Sequence, residues 1–453
     1  MGNEGSLKKL GPARVVAAGF LVLIFSGALL LTLPVMTASG TSTSFKDALF
    51  TATSAVSLTG LITVDTGSHW NLLGQAVVVI LIQLGGLGIM SMTSVAGWLL
   101  TGRVGLKSRM NAAAEGRSQS AGGVRRILGW TLALTFTAEA FVAVIITGRM
   151  MINYGMSFKH AIWEGIFHSV SAFNNAGFGL RSDSLVPYVG DAWIIIPIAL
   201  SFMIGGLGFP VLSELVSRTL RKLRGNQVPS HLSVTCQMTL FGTTILVLAG
   251  WFMVLALEWS GVLSGRGFGE KLLASFFQGV TPRTAGFNSL DYGQMHPITL
   301  MGTDILMIIG GGSAGTAGGI KITTIVVLAA GMAAEFKGEK SAIVAKRRIS
   351  SGVIRQAMTV AAAGVTFVVI AIGALRWMDP QFNGDQVTFE VVSAFATVGL
   401  STGITAQLST GSQLVLCAMM YLGRIGPITL VSSLAMRNIK RRFEYPVERP
   451  FIG

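Results

Sequence analysis

Charge is the scarcest feature of this chain: Asp, Glu, Lys and Arg together make up 12% of its 453 residues, against 51% hydrophobic residues. A soluble domain carries about 25% charged residues, so most of the surface cannot face water. That excludes a cytosolic enzyme, a secreted disulfide scaffold and a disordered regulator together. Cysteine is nearly absent too. Cys236 and Cys417 are the only two, each inside an apolar run, which leaves neither a disulfide framework nor a thiolate metal site to argue from. The histidines His69, His160, His168, His231 and His296 have no paired spacing and give a metal site no support. No His-Glu-x-x-His, serine nucleophile constellation or intramembrane aspartate pair occurs, so an enzyme is not expected. A phosphate-binding loop fails at Gly319-Ile320-Lys321-Ile322, where Gly-Lys-Ser/Thr is required.

What is present is long apolar sequence, interrupted by charge that alternates in sign. The net charge is +14, and 23 of the 34 Lys and Arg residues fall in five stretches: Lys8 to Arg14, Arg103 to Arg126, Arg218 to Arg224, Lys337 to Arg348 and Arg437 to Arg449. The segments between carry Asp47, Asp65, Glu164, Asp183, Asp191, Glu270, Asp291, Asp379, Asp385 and Glu390. By the positive-inside rule the basic stretches and both termini are cytoplasmic. They lack interleaved aromatics, which speaks against nucleic acid. An acidic outer mouth would concentrate cations. Apolar runs near Pro12 to Leu33, Leu72 to Leu100, Ile127 to Ile152, Ala192 to Leu215, Leu232 to Leu257, Ile298 to Ala334, Val353 to Met378 and Gln413 to Met436 predict about eight spans, at roughly 20 residues per crossing. The first run is too long for a cleaved signal peptide and is read as an anchor.

Between the two spans of each consecutive pair lies a segment too short to cross: Phe45 to Leu61, Phe158 to Phe178, Leu272 to Phe287 and Thr388 to Leu400. These segments repeat. Phe50 and Gly60, Phe167 and Gly177, Phe276 and Gly286, and Phe389 and Gly399 are each ten residues apart, and Ser54, Ser171 and Ser393 share one offset. Successive glycines are 117, 109 and 113 residues apart, so four units account for the chain. Their expected bounds are 1–104, 105–224, 225–340 and 341–453. The predicted fold is an all-α polytopic membrane protein: four parallel repeats of outer helix, re-entrant pore helix with filter loop, and inner helix around a central pore. Non-helical backbone at membrane depth must line a water-filled cavity or be buried in protein. Four glycine loops meeting on an axis meet that condition, because their carbonyls can replace the hydration shell of a cation. Gly85-Gly86-Leu87-Gly88, Gly205-Gly206-Leu207-Gly208, Gly310-Gly311-Gly312 and Gly423-Arg424-Ile425-Gly426 follow downstream and read chiefly as sites of close helix packing.

On the residues Ser57-Leu58-Thr59-Gly60-Leu61, Asn174-Asn175-Ala176-Gly177-Phe178, Thr281 to Asn288, Ala396 to Ser401 and Gly423 to Pro427, the chain resembles the Trk/Ktr/HKT superfamily of potassium transporters. With about eight spans it is more similar to the membrane subunit of the bacterial Ktr uptake system than to the Trk subunit. The resemblance implies a potassium filter built from Leu58, Thr59, Gly60, Asn175, Ala176, Gly177, Thr284, Ala285, Gly286, Thr397, Val398 and Gly399. Gly60, where sodium-selective relatives carry serine, favours potassium. It also implies a homodimer in the cytoplasmic membrane, sitting on a cytoplasmic ring of nucleotide-binding regulatory subunits, with sodium stimulation in several members. No nucleotide-binding domain and no organic cofactor are expected in this chain.

Six glycines lie between Gly310 and Gly319, and at about 1 kcal/mol each a continuous helix there is not expected. The stretch Gly311, Gly312, Ser313, Gly315, Thr316, Gly318, Gly319 and Lys321 reads as an intramembrane loop under the filter, a gate that moves before ions pass. Arg424 lies within the last span, where a cation costs at least about 2.5 kcal/mol, and reads as an electrostatic barrier against that loop. Arg283 is expected to turn away from the axis and pair with an acid. Glu139 and Asp304 fall within apolar runs without an assigned role. The competing reading is a sodium-coupled or alternating-access symporter, which would expect inverted repeats with matching broken helices; here only the third inner helix is expected to be broken.

Overall fold

The computed structural model describes residues 12–101, 121–225, 227, 231–313, 315–339 and 341–426. Most of the basic stretch Arg103 to Arg126, Pro427, the basic stretch Arg437 to Arg449 and the tail lie outside these residues. The described chain is mostly helical, with fifteen α-helices and one small hairpin pairing Ile343–Val344 with Arg347–Arg348. In chain order the helices are α1 (Pro12–Leu31), α2 (Phe45–Ser57), α3 (Thr66–His69), α4 (Leu72–Thr101), α5 (Ala121–Tyr154), α6 (Phe158–Phe173), α7 (Ala192–Leu207), α8 (Phe209–Leu223), α9 (Val234–Leu257), α10 (Phe268–Val280), α11 (Pro297–Ile308), α12 (Ile322–Phe336), α13 (Ser351–Met378), α14 (Gly384–Ala396) and α15 (Thr410–Ile425).

Burial runs opposite to that of a soluble protein. Phe141, Phe241 and Phe252 are 68%, 71% and 71% exposed on the outside, while Ser54, Thr59, Thr284 and Glu390 are fully enclosed. A surface of that kind is matched by hydrocarbon, which also requires the backbone to satisfy itself internally. Among the described residues three helices are long and apolar enough to cross a membrane: Gly129–Tyr154, Val234–Leu257 and Ser351–Met378. The stretches Val16–Leu31 of α1 and Leu72–Gly88 of α4 are apolar too, as are the shorter helices α11 and α12.

Two of the expected spans are not continuous. The run Ile298 to Ala334 divides into α11 and α12 at the glycine-rich stretch, as its composition predicts. The run Ala192 to Leu215 divides as well: α7 and α8 meet at 103°. This corrects the expectation that only the third inner helix is broken. Gly208 takes φ +88° and ends α7, and Pro210 stands in the first turn of α8. A fixed φ and a missing N–H suit proline to that position.

The short helices α2, α6, α10 and α14 coincide with the four repeated segments, and the last turn of each is buried on every side. Their starts are set by local chemistry. Ser44 accepts from the Asp47 amide at the head of α2, and Asn383 and Gln386 form a reciprocal cap on α14. Each packs on the helix before it, and α4 packs on α6, α7 on α10, α11 on α14, and α15 back on α2. The contacts thus close into a circuit.

Candidate functional site

Each short helix ends in strained backbone at the same place. Leu58, Asn175, Thr284 and Thr397 have φ of 58°, 57°, 69° and 50°, and two residues later Gly60, Gly177, Gly286 and Gly399 have φ of 95°, 70°, 78° and 90°. A non-glycine residue in the left-handed region costs roughly 1–3 kcal/mol, and such strain concentrates at functional sites. Threonine is a poor choice there on intrinsic grounds, since its branched Cβ crowds the backbone. Four such residues at one offset therefore need a common cause.

Hydrogen bonds hold the strain in place. The amides of Thr59, Ala176 and Val398 donate to the carbonyls of Ser54, Ser171 and Ser393 at 2.9, 2.8 and 2.9 Å. The hydroxyls of Ser54 and Ser393 also accept from the Gly60 and Gly399 amides at 3.0 and 3.1 Å. Ser171 Oγ, at the same offset, has no partner. The third segment corrects the sequence alignment. Phe277, not Phe276, is the fully buried ring, and Ala285 N donates to Thr281 O one residue nearer than in the other three. The structural equivalent of Phe50, Phe167 and Phe389 is thus nine residues before Gly286 and not ten. Thr281 Oγ1 supplies the support here by donating to Phe287 O at 2.5 Å.

The four glycines meet. A Cβ on Gly60 would strike the Ala176 carbonyl, one on Gly177 the Gly286 Cα and the Ala285 carbonyl, one on Gly286 the Val398 carbonyl, and one on Gly399 the Thr59 carbonyl. Only glycine permits backbone approach of this kind. All four line the floor of a single cavity of about 670 Å³, whose walls carry Asp65, Asp183 and Asp291 with Arg181. The inner helices pack as the downstream glycines predict: Gly85, Gly205 and Gly423 rest on the carbonyls of Val56, Phe173 and Phe395, each two residues before a left-handed residue.

The loop between α11 and α12 lies against the same segments. Its ends are tied by Gly310 N to Ile320 O at 2.9 Å and Ile322 N to Gly311 O at 3.1 Å, and Gly312 N reaches Gly206 O at 2.8 Å. Thr316 Oγ1 donates to Asn175 Oδ1 at 2.9 Å, and a Cβ on Gly318 would strike Thr397 Oγ1. Gly315 rests on Gly208, and Gly319 on Ala396. Ser313 and Thr323 hydroxyls are 2.8 Å apart. Arg424, 5% exposed, donates to the Thr316 carbonyl and, at 3.0 Å, to Gly85 O. Lys321 Nζ donates to the carbonyls of Ala317 and Gly318. The loop, Lys321 and Arg424 thus fall together, with the loop against the second and fourth glycine segments.

Three residues sit otherwise than expected, or show contacts that sequence reasoning missed. Arg283 is buried but pairs with no acid among the described residues; its Nη2 donates to Thr243 Oγ1 of α9 at 3.1 Å. Glu139 accepts from the Asn174 side chain at 3.1 Å, and Asn174 also donates to Gln83 at 2.9 Å. Glu390, fully buried in α14, accepts from Ser401 and Thr405 hydroxyls and the Thr402 amide behind the last glycine segment. The one signal for these contacts was polarity in apolar surroundings, at Asn174-Asn175 above all. Cys236 and Cys417 are both free thiols.

Comparison with known proteins agrees with this geometry. The chain is 38% identical to the Ktr system potassium uptake protein B of Bacillus subtilis over 444 residues, covering 98% of this chain and 97% of that one. It is 36% identical to the potassium/sodium uptake protein NtpJ of Enterococcus hirae, with 98% of each chain covered. The crystal structure of the potassium transporter TrkH from Vibrio parahaemolyticus superposes with a TM-score of 0.73 at 19% identity, covering 97% of this chain and 87% of that one, and shares the fold. Residues 12–440 match the TrkH description, cation transport protein, and with relatives this similar over nearly the whole length the chain belongs to the TrkH family of membrane cation transporters and is not an enzyme.

Proposed function

We propose that this chain takes up potassium across the cytoplasmic membrane through a filter made by its four glycine segments. The observation that carries the reading is the meeting of Gly60, Gly177, Gly286 and Gly399 at the floor of one acid-walled cavity. Carbonyls crowded there replace water around a cation, and Asp65, Asp183 and Asp291 raise the local cation concentration. Leu58, Thr59, Asn175, Ala176, Thr284, Ala285, Thr397 and Val398 supply the remaining carbonyls. The four units, 1–104, 105–224, 225–340 and 341–453, surround that axis as parallel repeats, with about eight crossings and both termini cytoplasmic.

The loop from Gly311 to Gly319 is the gate, held shut by Arg424 and Lys321. The B protein of the Bacillus subtilis Ktr system matches 98% of this chain, which supports control by a separate subunit; this reading takes the assembly to be a homodimer on a cytoplasmic ring of nucleotide-binding subunits. Sodium acts as a stimulant, in keeping with the potassium/sodium label of the Enterococcus hirae relative. The test is potassium and rubidium flux into liposomes carrying the purified protein, with Gly399→Ser in parallel and sodium present or absent. Selective potassium flux that the substitution degrades supports the filter. Flux with no dependence on Gly399, or none even with a cytoplasmic regulator added, overturns it. Potassium movement that requires sodium on the same side at zero voltage favours the symport alternative.

A further inference from the structure

A second large cavity, lined by none of the glycine segments, lies between α5 and the helix α8 that leaves α7 at 103°. Its volume is about 580 Å³. On the α8 side the lining follows a single stripe at helical spacing, from Phe209 and Leu212 through Val216 to Arg221 and Arg224. Leu134 and Trp130 face it from α5. The groove is therefore apolar along its length and cationic at one end. Among the described residues no acid lines it, and neither Arg221 nor Arg224 has an ion-pair partner, whereas Arg218 on the same helix reaches Glu214.

Two further observations place it at the bilayer surface. Trp130 lies four residues after Arg126, at the basic end of the apolar run of α5, where indole rings settle at the headgroup level. The bend at Gly208 turns α8 nearly perpendicular to α7, the attitude of an amphipathic helix lying in the interface. The shape and charge match one occupant. We propose that the groove between α5 and α8 is a binding site for an anionic phospholipid, its acyl chain along Phe209, Leu212 and Val216 and its phosphate between Arg221 and Arg224. A zwitterionic headgroup offers those two cations no net charge. The inference rests on the membrane assignment and not on the filter reading.

Native mass spectrometry of the full chain in detergent, titrated with phosphatidylglycerol and with phosphatidylcholine, tests the site without ion flux. Phosphatidylglycerol is retained by roughly 30-fold over phosphatidylcholine, the effect of two interfacial arginines, and Arg221→Gln with Arg224→Gln removes that preference. Leu212→Trp, which fills the groove, lowers retention of both lipids. Flux of the same preparations in liposomes reports separately on the filter and on folding. An unchanged preference in the double arginine variant overturns the site, as does a groove that a second copy of the chain fills, seen as loss of dimers in Leu212→Trp with lipid retention intact.

Discussion

Ser54, Ser171 and Ser393 stand at one offset in three of the four short helices, yet they are not in the same state. Ser54 and Ser393 hydroxyls hold the amides of Gly60 and Gly399, and Ser171 Oγ holds nothing. Removing a partner from a buried amide costs about 1–3 kcal/mol. Ser54→Ala is therefore expected to lower the thermal midpoint of the purified protein and to weaken potassium over sodium selectivity. Ser171→Ala should be close to neutral in both measurements. Arg424 gives a second test at this scale. It donates to two carbonyls, one in the loop and one on α4, and Arg424→Ala removes both the charge and the tie. Faster potassium flux in the absence of a regulator is the expected result; unaltered flux and affinity would sink the barrier role. What the sequence could not show at this scale is pairing across distance. Thr316 and Asn175 are 141 residues apart, and Arg283 finds Thr243 where charge alone pointed to an acid. Hydroxyl partners leave no charge pattern to read.

At the scale of elements, the four short helices and the break in the third inner helix were legible because glycine marks both. Ten-residue spacing and six glycines within ten positions are signals that composition does not dilute. The third segment was misaligned by one residue because Phe276 and Phe277 are adjacent, and only burial tells them apart. The bend between α7 and α8 was not legible. Gly208 closes a Gly-Gly-Leu-Gly group much like the straight one at Gly85 to Gly88, and its role depends on the Ser313 carbonyl lying against it. Deleting Gly312 to Gly318 removes the contacts to Asn175, Gly206 and Arg424 together. The expected outcome is increased potassium flux with looser dependence on a regulator, measured in liposomes against the intact chain. Unchanged flux would mean that the loop is only a kink.

At the scale of the whole molecule, the helix contacts close from α15 back to α2, so no unit ends in an unpaired inner face. Composition showed the membrane class, and the spacing of the glycines pointed to four units. The circuit itself needed the structure, because the glycine segments of neighbouring units meet through residues about a hundred or more positions apart. The loop under the glycine segments has one consequence for the molecule as an osmotic object. Its backbone groups are satisfied by Gly206, Ile320 and the side chains of Arg424 and Lys321, and buried polar groups do not go unpaired. To move aside, the loop must hand those groups to water, and the space it vacates must fill with water as well. Under the gating proposed above, opening is thus a hydration reaction. Solutes too large to enter the cavity should draw that water out and hold the pathway shut, so potassium flux is expected to fall as impermeant osmolyte is raised at constant ion activity, and to fall less in the loop-deleted chain.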